Sequence, residues 1–337
     1  MKKKLALFTV LAVLFGVFFV ISGKEAVRVQ AAEGGVRIVE IRGNKAHPQQ
    51  IAAPGIDETF GYVWAVRQDN GRYYVYYAKE RGGKGRYLFQ TQPDVNPEGI
   101  VFTDSDVYFT QDSADGLKHY AYQVNLSGTR KMTRLFGFKS KTAAKSSILN
   151  YYDGRIFYYY EDKESGIGSL YRYDTATKTK KGCKANTVFE NIFGQYLYMR
   201  DAGTETVRFY DCAQNKIIKK INAPSGFALD SIWPFPMEES FQTAISYNQR
   251  NFENDKMMVS FKVYIANADG SGLKLLVEHK GENASFMSTS PGGALFLIEE
   301  TTDNGSRTSR YDFVTSAGEV TSFDSFSDYS EWRNSKG

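Results

Sequence analysis

The chain has 337 residues, with 42 Lys and Arg against 38 Asp and Glu, and 23 Tyr and 24 Phe supply most of its aromatic content. Lys2, Lys3, Lys4, Lys24 and Arg28 against Glu25 account for the whole formal excess of +4 within residues 1–31. The remainder is therefore neutral, and global charge gives no support to a nucleic-acid or membrane-surface partner. Two cysteines rule out a disulfide framework, while the aromatic richness suits strands.

In chain order, a lysine-rich start, an uncharged run from Leu5 to Ile21 and small residues up to Ala31-Ala32 predict an export signal over residues 1–31. The lysines would stay inside while the apolar run enters the translocon. Cleavage near Ala31 would release a secreted or cell-surface protein with no membrane span of its own. No Cys near the end of the run offers a lipid anchor. Residues 32–54 form an N-terminal segment in which Val36–Arg42 alternates like a strand.

A repeat occupies residues 55–337. Its most legible copy begins with the inner segment Ile148–Tyr152 and the turn Asp153-Gly154. The second strand, Arg155–Tyr160, leads through the polar loop Asp162–Gly168 to a third, Leu170–Tyr173. The turn Asp174–Thr177 then opens a lysine-rich outer strand, Lys178–Lys184. Second strands are predicted to begin near Tyr74, Val107, Ile156, Tyr196, Ala244 and Ala294, a mean spacing of about 44 residues that matches four-stranded propeller blades. The first copy, Tyr62–Thr91, reads as truncated and lacking its outer strand. The predicted fold is all-β: a single β-propeller of about six four-stranded antiparallel blades. Its ring would be closed by a terminal strand, Val36–Arg42, because a stack of blades leaves two bare end faces.

Asn267-Ala268-Asp269-Gly270-Ser271-Gly272-Leu273-Lys274-Leu275-Leu276 and Ser288-Thr289-Ser290-Pro291-Gly292-Gly293-Ala294-Leu295-Phe296 resemble repeat units of TolB-like propellers. The tyrosine-rich strands also resemble the low-density-lipoprotein-receptor-like propeller domains of exported Gram-positive proteins. The resemblance covers nearly all of the chain after residue 31 and implies blades, not one activity.

Catalytic signatures are scarce. No Gly-x-Ser-x-Gly pentapeptide is present for a serine hydrolase elbow. His47, His119 and His279 are far apart in sequence and read as loop or surface residues rather than zinc ligands. Some six-bladed propellers resemble calcium-dependent lactonases, yet only Glu190 and Asp230 are clearly acidic on the predicted inner strands. Asp112, Asp115 and Gly116, like Asp269 and Gly270, read as turn chemistry. No metal or cofactor is expected.

Ligand-binding loops are expected between outer and inner strands and between second and third strands, including Glu80–Gly85, Gln111–Lys118, Asp162–Gly168, Asp201–Glu205, a long Gln249–Met258 and Asp303–Arg307. Trp233-Pro234-Phe235-Pro236 reads as too proline-rich for a regular inner strand. Its rings would form either an aromatic lip or packing between two blades. Trp233, Phe235, Tyr151 and Trp64 are the candidate binding residues. The expected function is a non-catalytic extracytoplasmic binding or scaffold module for a glycan, peptide or protein ligand. A carbohydrate-active or lactone-hydrolysing enzyme is the alternative. Cys183 and Cys212 are expected to stay unpaired, since their strand assignments place them at different heights.

Overall fold

The computed structural model describes residues 37–43, 58–67, 70, 72–78, 86–90, 98–103, 105–125, 132–236, 241–253, 256–279, 283–290, 292–301 and 306–336. The predicted export signal and His47 lie outside them. Strands dominate, and they follow the predicted repeat closely.

The first repeat is β1 (Arg37–Gly43), β2 (Glu58–Arg67), β3 (Tyr73–Ala78) and β4 (Arg86–Gln90). The second is β5 (Glu98–Phe102), β6 (Asp106–Asp112), β7 (Lys118–Asn125) and β8 (Met132–Lys139). The third and fourth run through β9 (Ala144–Tyr152), β10 (Arg155–Asp162), β11 (Gly168–Asp174), β12 (Lys180–Phe193), β13 (Tyr196–Asp201), β14 (Val207–Asp211) and β15 (Lys216–Ile221). The fifth is β16 (Ala228–Pro236), β17 (Phe241–Glu253), β18 (Lys256–Asn267) and β19 (Lys274–His279). The sixth comprises β20 (Asn283–Ser290), β21 (Gly293–Thr301), β22 (Arg307–Thr315) and β23 (Val320–Phe323), and a helix α1 (Phe326–Lys336) follows it.

These strands form five sheets rather than six, because β12 serves as the outer strand of the third repeat and the inner strand of the fourth. Its first half pairs with β11 and its second half with β13. The sequence reading separated Lys178–Lys184 from Phe189–Phe193; here the backbone runs through, relieved by a register shift between Phe189 and Asn191. The chain divides into two compact units. One, Val29–Asn222 with Ala268–Gly270, holds the first four repeats; the other, Ala223–Asn267 and Ser271–Gly337, holds the last two and α1.

The first repeat corrects two expectations. It is not truncated: Tyr73–Ala78 is its third strand, and the strand that seemed missing at the outside is β1 at the inside. Residues Val36–Arg42 do form a strand within one residue of the predicted limits. That strand pairs antiparallel with β2, Ile38 facing Trp64. Each sheet contains only strands consecutive in the chain, so among the described residues no sheet mixes the two ends.

Period-two patterning explains how the repeats pack. On β10, Ile156 and Tyr158 join Val101, Tyr108, Ala121 and Phe136 of the second repeat in one core cluster. The alternate residues Phe157 and Tyr159 join Leu197, Met199 and Tyr210 of the fourth repeat in another. A sheet buried on both faces gives a nearly continuous apolar run instead of alternation with polar residues. Each such ring, buried fully, contributes about 1.5–3 kcal/mol. Asp153 and Gly154 have φ of 46° and 74° between the paired Tyr152 and Arg155. That is the two-residue turn whose backbone twist matches the flanking strands.

Helix α1 was not foreseen. Ser325 Oγ accepts from Asp328 N at 3.2 Å and donates to Asp328 Oδ2 at 2.8 Å, so its hydroxyl caps the first turn. Phe326, Tyr329 and Trp332 then recur on one face and pack against Leu295, Phe313 and Phe323.

Candidate functional site

The four candidate binding residues are not brought into one site. Trp233 is 6% exposed and Phe235 0%, and both belong to a core cluster shared by the fifth and sixth repeats. The Trp233 ring stacks on Phe286 at 4.2 Å. The aromatic lip is therefore interior packing. The proline run is also an inner strand after all: Trp233 faces Ala244 and Phe235 faces Gln242 across β16 and β17. Because β16 is a sheet edge, its prolines need no second ladder partner. Tyr151 is half-buried in the cluster between the second and third repeats, stacked on Tyr108 at 5.0 Å. Trp64 sits on β2 between Ile38 and Tyr76, and its side chain lies outside the described residues. The supposed loop Gln249–Met258 is a hairpin in which Arg250 faces Val259 and Glu253 faces Lys256.

The structure points elsewhere, to a cleft of about 530 Å³ between the end of β8 and the strands β10, β11 and β12. Such a volume falls within the range of small-molecule and cofactor sites. Its floor is aromatic. Phe138 meets Tyr160 edge-on at 5.2 Å, and Tyr158 stacks on Tyr171 at 5.4 Å. Burial first, then Tyr171 and Cys183, hold the Tyr158 phenol above its ordinary range, so it stays a protonated donor. The rim is basic: Lys139, Lys141, Lys180 and Lys181 all line the cleft. Lys180 is engaged, its Nζ lying 5.8 Å from the Phe136 ring centroid and donating to Gly137 O at 3.4 Å. The other three are exposed and pair with no carboxylate among the described residues. Asp162 stands at the lip, where it accepts from Thr142 Oγ1 at 2.8 Å and is held below its ordinary range, chiefly by the Ser165 backbone N–H.

Behind this floor runs a chain of polar side chains that sequence reasoning missed. His119 is not at the surface but fully buried, its ring 4.7 Å from Phe138 and 5.4 Å from Tyr160. Its Nδ1 lies 2.7 Å from Asp112 Oδ1 and its Nε2 3.2 Å from Ser140 Oγ. An ionised carboxylate only accepts, so Nδ1 is the donor to Asp112, and in the neutral tautomer Nε2 is then the acceptor. Ser140 lines the cleft. The order Asp-His-Ser is the one that activates a serine nucleophile. Two contacts pull the other way. Ser140 Oγ has a competing acceptor in Gly116 O at 3.1 Å. Asp112 also takes Ser146 N at 2.8 Å and Ser146 Oγ at 2.6 Å from the third repeat. The network thus ties two repeats together. Its one legible sign was the pairing of Asp112 with His119 across the β6–β7 hairpin.

The suspected calcium ligands are used internally. Asp115 Oδ1 accepts from Leu117 N at 2.9 Å and from Ser113 Oγ at 2.5 Å. Glu190 pairs with Arg200 at 2.9 Å, and Asp230 accepts from Ser246 and Asn248. Among the described residues no group of three His, Cys, Asp or Glu side chains could hold a metal ion.

No family model matches the chain, and no curated protein matches it. Solved structures do. The WD40 domain of SCAP from fission yeast shares 12% identity at a TM-score of 0.45, covering 77% of this chain and 72% of that one. Oligogalacturonate lyase from Vibrio parahaemolyticus shares 10% at 0.47, covering 86% and 82%. A protein assigned as TolB from Agrobacterium tumefaciens shares 10% at 0.37, covering 82% and 90%. These neighbours are β-propeller folds, among which binding domains and enzymes both occur. At such identities the likeness concerns the fold alone.

Proposed function

We propose that this chain is a non-catalytic binding or scaffold module acting outside the cell, its six repeats serving as blades of one propeller and its ligand lying in the cleft above Tyr171. The observation that carries the reading is that cleft: aromatic rings form its floor and lysines its rim, with a volume suited to a small ligand or a polymer segment. The extracellular setting rests on residues 1–31. No helix among the described residues is long and apolar enough to cross a membrane. A glycan, peptidoglycan-fragment and peptide array, followed by product analysis of each hit, tests it. Binding without turnover, weakened by Tyr171→Ala, supports the module.

A second reading has one specific observation behind it. The Asp112–His119–Ser140 chain opens onto the cleft through Ser140, which favours an ester- or lactone-hydrolysing enzyme. Labelling by a serine-directed fluorophosphonate, mapped to Ser140 and absent in His119→Gln, would establish it. Absence of labelling leaves the chain as a structural tie.

A further inference from the structure

We infer that the cleft ligand is an anionic saccharide, its sugar rings lying on the half-buried rings of Tyr171, Tyr160 and Phe138 and its carboxylate or phosphate groups meeting Lys139, Lys141 and Lys181. This rests on the cleft being the binding site proposed above. Two features select the class together. Tyrosine and phenylalanine rings present flat apolar faces that complement the C–H faces of a pyranose, and the tyrosine phenols donate to sugar hydroxyls. Tyr171 is suited to this role because buried Tyr158 stacks behind it, at an interplanar angle of 16°. Little side-chain freedom remains to be lost on binding.

The charge pattern supplies the second feature. The chain after residue 31 is formally neutral, yet all four ionisable groups of cationic type that line the cleft are lysines, and no carboxylate lines it. A one-signed rim over a low-dielectric wall concentrates counter-ions of the opposite sign. Lys180 is committed to Phe136 and Gly137 O, so it shapes the wall. The remaining three keep their ammonium groups for a ligand. Asp162, at the lip and tied to Thr142, would repel an anion that overran the cleft on that side, which gives the site a preferred direction. A neutral saccharide would use the floor and leave the rim idle. A peptide anion would use the rim but gain less from the floor.

The test is calorimetric titration of the full exported chain with three probes of similar length: maltohexaose as neutral control, an alginate hexamer for carboxylate, and phosphomannan fragments for phosphate. The expected result is binding of one or both anionic probes, with maltohexaose at least tenfold weaker. Which anionic probe binds separates the carboxylate source from the phosphate source. Exposed charge pairs contribute about 0.2–1 kcal/mol each, so K139A/K141A/K181A together should weaken binding by roughly tenfold. Salt at about 1 M, where screening acts over roughly 3 Å, should do the same. Circular dichroism of the triple variant confirms that it is folded, since none of the three side chains is buried. Equal affinity for maltohexaose overturns the anionic class and leaves the binding module standing. Anionic binding unaffected by the triple variant overturns the location. Binding to none of the probes, with peptides bound instead, overturns the saccharide class; no binding to any array member removes both readings.

Discussion

Replacing Asp112 with alanine isolates the tie between the second and third repeats. Its carboxylate is 11% exposed and accepts from His119 Nδ1, Ser146 N and Ser146 Oγ. His119 and Ser146 are both 0% exposed, so neither can turn to water. Each buried donor left unsatisfied costs about 1–3 kcal/mol. The His119 Nδ1–H and the Ser146 N–H are the two donors fixed in direction, for a total of roughly 2–6 kcal/mol. Ser140→Ala removes only one hydroxyl that has two alternative acceptors, and should cost about 1 kcal/mol. Urea denaturation of both variants, with hydrogen exchange read at the Ser146 amide, checks the difference. Asp112→Ala should expose that amide selectively. The reasoning fails if Asp112→Ala costs less than Ser140→Ala, or if the Ser146 amide stays as protected as in the parent.

Other outcomes follow from single contacts. Asp201 is held below its ordinary value of 3.8, first by the Arg208 hydrogen bonds and then by Lys184. A depressed folded-state value means that its stabilisation is complete above about pH 4 and is lost as pH falls through the folded value. Asp201→Asn should therefore lower stability at neutral pH and flatten the acid limb of the unfolding curve. Cys183 and Cys212 are free thiols whose ionisation burial pushes up; both should alkylate in denaturant without reductant, and in the native state Cys212 should react after half-buried Cys183. A requirement for reductant would contradict this. With Trp64 and Trp332 replaced by Phe, acrylamide should scarcely quench Trp233, which is 94% buried by its 6% exposure; quenching like that of free tryptophan would return it to the surface. Tyr329→Ala in α1 should cost about 3–5 kcal/mol, because that ring is fully buried against Phe313 and Phe323.

The repeat was legible because strand and turn chemistry are local. Asp153-Gly154 fixes a hairpin by its own backbone preferences, and the alternation on β10 survives in the structure as two clusters. Loss began where a residue's partner is distant. Trp233 and Phe235 were left between a lip and inter-blade packing because sequence shows a proline run but not the sixth-repeat Phe286 that stacks on Trp233. The cleft was invisible for the same reason. Tyr158, Tyr171 and the lysine-rich Lys178–Lys184 were all read, but nothing local places Phe138–Thr142 beside them. The truncated first repeat was a framing error: a gap between β1 and β2 hid the inner strand. Helix α1 carried a local sign, Ser325-x-x-Asp328 before aromatics three apart, which was outweighed by the surrounding strand pattern. The two cysteines are free, but not for lack of proximity in the fold, since both contribute to the cluster around Tyr210.

The unbroken course of β12 has a consequence for how the molecule comes apart and how it can vary. The third and fourth repeats share one 14-residue ladder strand. Its two halves are hydrogen-bonded to different sheets' worth of neighbours, so neither repeat can open without pulling register from the other. They should exchange amide protons as one cooperative block, with the remaining repeats opening as smaller ones. The same continuity removes a place where insertions accumulate in proteins of this architecture. Length variation among relatives of this chain should thus spare residues 180–193, and a protease should find its cuts elsewhere.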